Sequence, residues 1–128
     1  MDFEIEDIRG KKARLYKRHK KFILLYFWSI GCPPCIQKIP ALNKLYDKFK
    51  NANIEFWAIG YYTQKFLEKN PFKFRLFKKY SPEIVKNYPI YVIPQVYIID
   101  QENLIRYHST NVDTKEIEEV IERLLWLY

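Results

Sequence analysis

The sequence predicts an α/β domain: a central mixed β-sheet flanked by helices on both faces, with an extra N-terminal β-hairpin. Three observations carry that expectation. An apolar run, Phe22-Ile23-Leu24-Leu25-Tyr26-Phe27-Trp28, has the length and character of a buried strand. Beyond it Ile36, Ile39, Leu42, Leu45, Tyr46 and Phe49 recur at helical spacing, and a second apolar run, Ile54-Glu55-Phe56-Trp57-Ala58-Ile59-Gly60, follows. Strand, helix and strand in that order imply a parallel pair with a right-handed crossover. The chain then closes with a hairpin and an amphipathic helix, which makes the sheet mixed.

Taken in order, residues 3–8 (Phe3, Ile5, Ile8) and 13–16 suggest a short hairpin turning at Arg9-Gly10-Lys11. A strand over 22–28 leads to a helix over 33–50, with Pro34 suited to its first turn. Pro40 lies deeper, where it removes a donor and is expected to kink the helix. After the strand at 54–60, a helix over 63–70 ends before Pro71. Residues 71–93 read as irregular, with a short extended piece near 74–77 and a helical turn at 82–88. A strand over 95–99, a turn at Asp100-Gln101-Glu102-Asn103 and a returning strand over 104–108 form the hairpin. Asp113 caps the last helix, Glu116 stands in the capping-box position, and Ile117, Val120, Ile121, Leu124 and Leu125 form its apolar stripe.

At 128 residues the chain is read as one domain, 1–128, long enough for a single sizeable core. Its 48% hydrophobic and 18% aromatic content excludes a disordered chain. No apolar stretch approaches the roughly 20 residues of a membrane span. Met1-Asp2-Phe3-Glu4 is acidic and has no hydrophobic region behind it, so no signal peptide is expected. That points to the cytoplasm unless a leader or anchor has been removed. The net charge of +7 gathers at Arg9, Lys11, Lys12, Arg14, Lys17, Arg18, Lys20 and Lys21, and again at Lys65, Lys69, Lys73, Arg75, Lys78 and Lys79. With no nucleic-acid-binding motif beside it, this charge is read as solvated loops and helix faces, and no specific nucleic-acid partner is expected.

The chain's only cysteines form Cys32-Pro33-Pro34-Cys35, at the junction between the first long strand and its helix. A helix N-terminus offers unpaired N–H groups and the positive end of the dipole, both of which favour a negative sulfur. A reversible dithiol/disulfide pair is therefore the leading reading.

This order of elements, with CxxC after the first long strand and a proline just before the second-last strand, resembles the thioredoxin-like fold. It is most similar to the TlpA/ResA-type thiol–disulfide oxidoreductases, an AhpC/TSA-related branch of that superfamily. Three stretches carry the likeness: Phe3 to Lys11, which looks like that group's opening hairpin; Phe27 to Pro40, its active-site signature; and Tyr88 to Asp100, its proline loop. The resemblance implies Cys32 as nucleophile and Cys35 as resolving thiol. Pro94 would be cis and shape the site, and Ile93 would offer backbone groups to an extended substrate. It also implies protein disulfides or dithiols as substrates, an upstream dithiol donor protein, a monomer, no metal or organic cofactor, and work outside the cytoplasm. A membrane tether would require a removed N-terminal anchor.

Three departures stand out. Tyr26 occupies the position six before the first cysteine that is acidic in thioredoxin proper, Lys38 replaces a usual Glu, and Gly31 replaces a common Trp. The buried-carboxylate relay is missing at both sites, and Lys38 would favour thiolate if it faced the sulfurs. Cys32 is expected at the helix N-cap, exposed, with the N–H of Cys35 aimed at its sulfur. Pro33 and Pro34 have no N–H to give, which should limit thiolate stabilisation and bias the pair towards reduction. Trp28 is expected to pack beside the disulfide.

Other chemistries fit only parts of the sequence. A zinc site would need His19 and His108 to complete the ligands, at spacings unlike a finger, and both are expected to be ordinary surface residues. A copper chaperone would want a wider cysteine spacing. A peroxiredoxin-type peroxidase is suggested by Ser29, three before Cys32, but Leu25 stands where that family has proline. A non-catalytic protein-binding platform could use Tyr61, Tyr62, Phe66, Phe72, Phe74, Phe77, Tyr80, Tyr88 and Tyr91 as a peptide groove. The reading preferred over these is a protein-disulfide reductase.

Overall fold

A computed structural model of the chain describes residues 4–7, 9–14, 20, 22–77 and 92–127. The apolar run becomes β3 (Phe22–Ser29), the middle strand of a five-stranded sheet ordered β5-β4-β3-β6-β7. It pairs in parallel with β4 (Ile54–Tyr61) and antiparallel with β6 (Gln95–Ile99). A strand paired on both sides and covered on both faces has no solvent-facing positions, hence the unbroken apolar run. Phe22, Leu24, Tyr26 and Trp28 enter one core cluster, while Ile23, Leu25 and Phe27 enter the cluster on the opposite face.

The first cluster is closed by α1 (Pro33–Phe49), whose buried stripe is Cys35, Ile39, Leu42, Leu45 and Phe49. Pro33 and Pro34 occupy its first turn, where missing donors cost little. Pro40 does not end the helix, which continues as one element to Phe49. A proline in a helix interior costs roughly 3 kcal/mol. Burying each large apolar side chain returns roughly 1.5–3 kcal/mol, so the stripe outweighs it. Leu67 of α2 (Gln64–Lys69) and Ile117 and Ile121 of α3 (Thr114–Leu127) join the same cluster. Thr63 caps α2 by accepting from the N–H of Phe66, 3.1 Å.

Four details differ from the expectations or sharpen them. The extended piece near 74–77 is a true strand, β5 (Arg75–Phe77), parallel to β4 at the sheet edge. The returning strand β7 (Ile105–Ser109) begins one residue later than expected. The cause is Asp100, whose carboxylate accepts from the N–H of Glu102 (2.8 Å) and Leu104 (3.0 Å), drawing Leu104 into the turn. Asn103 takes a positive φ of 63° there. At the last helix, Asp113 accepts from Lys115 and Glu116 N–H, while the Glu116 carboxylate accepts from the Tyr107 hydroxyl.

The fourth concerns the charge. Arg75 is not a solvated cation: its Nε donates to Asp7 (2.9 Å), and its guanidinium lies over the rings of Trp57 and Phe77. Asp7 follows the hairpin strand β1 (Glu4–Glu6), which pairs with β2 (Lys12–Arg14) around Gly10 at φ 78°. A β-bridge from Asp7 to Phe77 ties this hairpin to the sheet edge. The expected contributions of Phe3, Ile8 and 15–16, and the helical turn at 82–88, lie outside the described residues.

Gly60 faces Trp28 across the β3–β4 pair, and a Cβ there would stand 2.0 Å from the Trp28 carbonyl oxygen. Backbone cannot yield as a flexible side chain can. Gly60→Ala is expected to destabilise by more than about 3 kcal/mol, beyond ordinary overpacking. Gly31→Ala, with only Ser29 Oγ nearby at 3.9 Å, should be near neutral. Urea denaturation of both variants checks this contrast.

Burial opposes the charged form of Asp100, yet the Leu104 and Glu102 N–H groups and the Arg106 guanidinium outweigh it and lower its pKa. A carboxyl whose folded pKa is depressed stabilises the fold above its unfolded value, about 3.9, and loses that contribution as pH falls through the folded value. Asp100→Asn should therefore be less stable than wild type at pH ~7, with the gap narrowing as the pH falls below the unfolded value of about 3.9. Thermal melts across the acid range measure it.

Candidate functional site

The end of β3 delivers the chain through Ser29-Ile30-Gly31 to Cys32, which is the N-cap of α1. Two bonds shape this turn: the Cys32 N–H donates to the Ser29 carbonyl (3.1 Å) and the Gly31 N–H to Ser29 Oγ (3.2 Å). The Ser29 hydroxyl thus serves the turn. At the cap the Cys35 N–H donates to Cys32 Sγ at 3.2 Å, as the residue spacing predicts. Cys32 and Cys35 are joined as a disulfide, with their Cα atoms 5.3 Å apart.

Cys32 is not the open sulfur expected from sequence: it is 8% exposed, and Cys35 is fully buried. The reason is the loop before β6. Ile93 places its carbonyl oxygen 3.7 Å from Cys32 Sγ, and the Ile93–Pro94 peptide is cis. Pro33, Pro34 and Gly31 are exposed around the sulfur. Val92 and Tyr61 also expose much of their apolar surface. The exposed residues next to the sulfur in the chain, Gly31, Pro33 and Pro34, and Val92 next to Ile93, are therefore all uncharged and apolar.

On the inner side stands Tyr26, six residues before Cys32. It is completely buried, and its hydroxyl donates to the Cys35 carbonyl at 2.7 Å. A neutral donor thus holds the backbone of the buried cysteine, Cys35. Lys38 is half-buried on α1, and no contact joins it to either sulfur among the described residues. Trp28 is a packing residue of the cluster that contains both cysteines, stacked on Tyr62 (centroids 6.2 Å, 2° apart) and tilted against Phe66 and Phe72. Burial lifts the Tyr62 phenol above its ordinary pKa, with the nearby Asp7 charge adding to the effect.

The rival residues are also placed. Tyr62, Phe74 and Phe77 are core and Phe66 and Phe72 half-buried, so of the suggested groove only Tyr61 is open among the described residues. Tyr80, Tyr88, Tyr91 and His19 lie outside the described residues. His108 is exposed, as expected, and from the surface it also stacks on Tyr97 and hydrogen-bonds to Gln95. Sequence reasoning passed over Gln95. A polar side chain opening an apolar strand was the only signal that could have found it.

A family model described as the AhpC/TSA family matches residues 1–108. The thiol-disulfide oxidoreductase ResA of Bacillus thuringiensis subsp. konkukian is 28% identical over 129 residues, covering 96% of this chain and 75% of its own length. Among solved structures, a Chlorobium tepidum protein described as a thiol:disulfide interchange protein DsbE superposes with a TM-score of 0.84 at 22% identity, covering 98% of this chain and 94% of that one. StoA from Bacillus subtilis superposes with a TM-score of 0.80 at 19% identity, covering 94% and 96%. Both structures share the thioredoxin-like fold described above.

Tyr26→Phe deletes a buried donor without changing the ring. It is expected to cost about 0.5–1.5 kcal/mol, the usual net worth of one such bond. Comparing the urea midpoints of the two proteins tests this; an unchanged midpoint would show that the hydroxyl holds nothing.

Proposed function

The chain belongs to the AhpC/TSA family and is a thiol–disulfide oxidoreductase, and from that premise we propose that Cys32 and Cys35 are its redox couple, reducing disulfides in protein substrates. The single observation that carries this is the pair itself: two sulfurs in one helical turn, one capped by an N–H and adjoining the Ile93 carbonyl, the other sealed in the core.

In the reduced protein, Cys32 reacts as the thiolate, the only form that attacks a disulfide. Its sulfur bonds to one substrate sulfur, and the other substrate sulfur leaves as a thiolate and takes a proton. Cys35 then loses its proton and attacks Cys32 Sγ, expelling the remaining substrate sulfur. The products are a substrate dithiol and the Cys32–Cys35 disulfide, so two electrons pass to the substrate. The second step is intramolecular and gains from proximity. The order of attack follows burial, since only Cys32 has any accessible surface.

Pro94 and Ile93 shape the entrance, while Trp28 packs beneath it. Pro33 and Pro34 limit the donors to Cys32 Sγ, leaving the N–H of Cys35 to do that work. Weaker thiolate stabilisation supports a reducing role, with a further dithiol protein restoring the pair after each turnover. We place the protein as a single-domain monomer working outside the cytoplasm, as its likeness to the TlpA/ResA group implies. Among the described residues no helix is long and apolar enough to cross a membrane.

Insulin reduction and the midpoint potential test this together. Cys32→Ser should abolish turnover, and the couple should lie well below the roughly −120 mV of a strong oxidant. Turnover that survives Cys32→Ser would overturn the assignment, and a potential near −120 mV would overturn the direction.

A further inference from the structure

Gln95 is 2% exposed, a neutral amide buried at the start of β6 immediately after Pro94. Its Nε2 donates to the Val92 carbonyl at 2.6 Å, and its Oε1 lies 2.8 Å from Nε2 of His108. The orientation follows from chemistry, because a carbonyl can only accept. The NH₂ group must face Val92, the amide oxygen is left for His108, and His108 Nε2 must carry a proton. The imidazole is in turn stacked on Tyr97, with centroids 4.3 Å apart and planes within 17°. A two-bond chain therefore runs from β7, through Gln95, to the loop that lies against Cys32.

The Val92–Ile93 peptide is trans and planar, so its C=O and N–H point in opposite directions. Drawing the Val92 oxygen towards Gln95 turns the Ile93 N–H away from Gln95. The Ile93 carbonyl, on the next peptide, is the one 3.7 Å from Cys32 Sγ. Val92 itself is 57% exposed beside this edge. Resting on the proposed exchange with protein substrates, we infer that Gln95, braced by His108, is a positioning residue that aims the Ile93 backbone edge at a bound polypeptide. It acts through the loop, not on the sulfurs. Its effect is a preference for disulfides carried by extended polypeptide over small free disulfides, which cannot use that edge.

Two variants separate this from simple scaffolding. Gln95→Leu keeps the approximate volume and removes both bonds; His108→Phe keeps the stack on Tyr97 and removes only the brace. Steady-state kinetics would be measured with insulin and with hydroxyethyl disulfide, alongside the midpoint potential. Gln95→Leu is expected to raise KM for insulin about tenfold, the size of one lost hydrogen bond. His108→Phe should raise it about threefold, with kcat, the hydroxyethyl disulfide rate and the potential unchanged for both. An unchanged KM for insulin in both variants overturns the inference while Cys32-dependent turnover leaves the proposed function standing. Equal losses on both substrates would make Gln95 a scaffold residue and also overturn it. Absence of Cys32-dependent insulin turnover in the wild type would instead remove the reading on which it rests.

Discussion

The burial of β3 on both faces is the constraint from which the site follows. Its alternate side chains supply both core clusters, and its two neighbours are the parallel strand β4 and the antiparallel strand β6. The parallel neighbour requires a crossover, which α1 provides, so the carboxyl end of β3 must meet the amino end of α1. Cys32 stands at that corner. The antiparallel neighbour begins where β3 ends, which brings Pro94 and Ile93 to the same corner from the other side. One strand's pairing thus places the sulfur and the loop that covers it. The close approach of Gly60 to Trp28 shows how little slack that pairing has.

Within this frame the donor that meets the Cys32–Cys35 disulfide turn from the core is neutral. Tyr26 occupies the position of an acid in thioredoxin proper, and its hydroxyl is satisfied by the Cys35 carbonyl. A carboxylate there would have to be desolvated, and its charge would alter the energetics of the adjacent thiol. A phenol hydroxyl avoids that cost and still supplies a donor. The polarity of the site is instead concentrated in backbone: the Cys35 N–H at the sulfur and the Ile93 carbonyl beside it. Such groups carry no titrating charge and are held by secondary structure.

The charged residues do structural work elsewhere. Asp7 and Arg75 join the hairpin to the sheet edge. Burial opposes the Asp7 carboxylate, but Arg75 and the Lys11 and Arg9 N–H groups more than compensate and keep its pKa low. Arg75 also lies across Trp57 and Phe77, so its cation shields the edge of an apolar face. Lys48 reaches Glu118 and Glu122 between α1 and α3 in open solvent, where such pairs contribute little.

The amino-acid sequence alone determined the order and kind of the main elements, because hydrophobic period is a local property. The run at 22–28, the stripe through Phe49, and the Asp113 cap all read correctly. The thiol spacing and its place before a helix were equally local, and so was the N–H of Cys35 at the sulfur. The covering of Cys32 was not readable, since the Ile93 carbonyl is 61 residues away. The pairing of Arg75 with Asp7, 68 residues apart, turned an apparently solvated cation into a half-buried fastening. Nor could the one-residue slip of β7 be foreseen, as it arises from a carboxylate gathering the backbone of its own turn. Gln95 and His108 acquire meaning only when β6 and β7 lie side by side. Tertiary structure decided these because strand order and side-chain direction bring distant groups together, and no short-range pattern records which groups those will be.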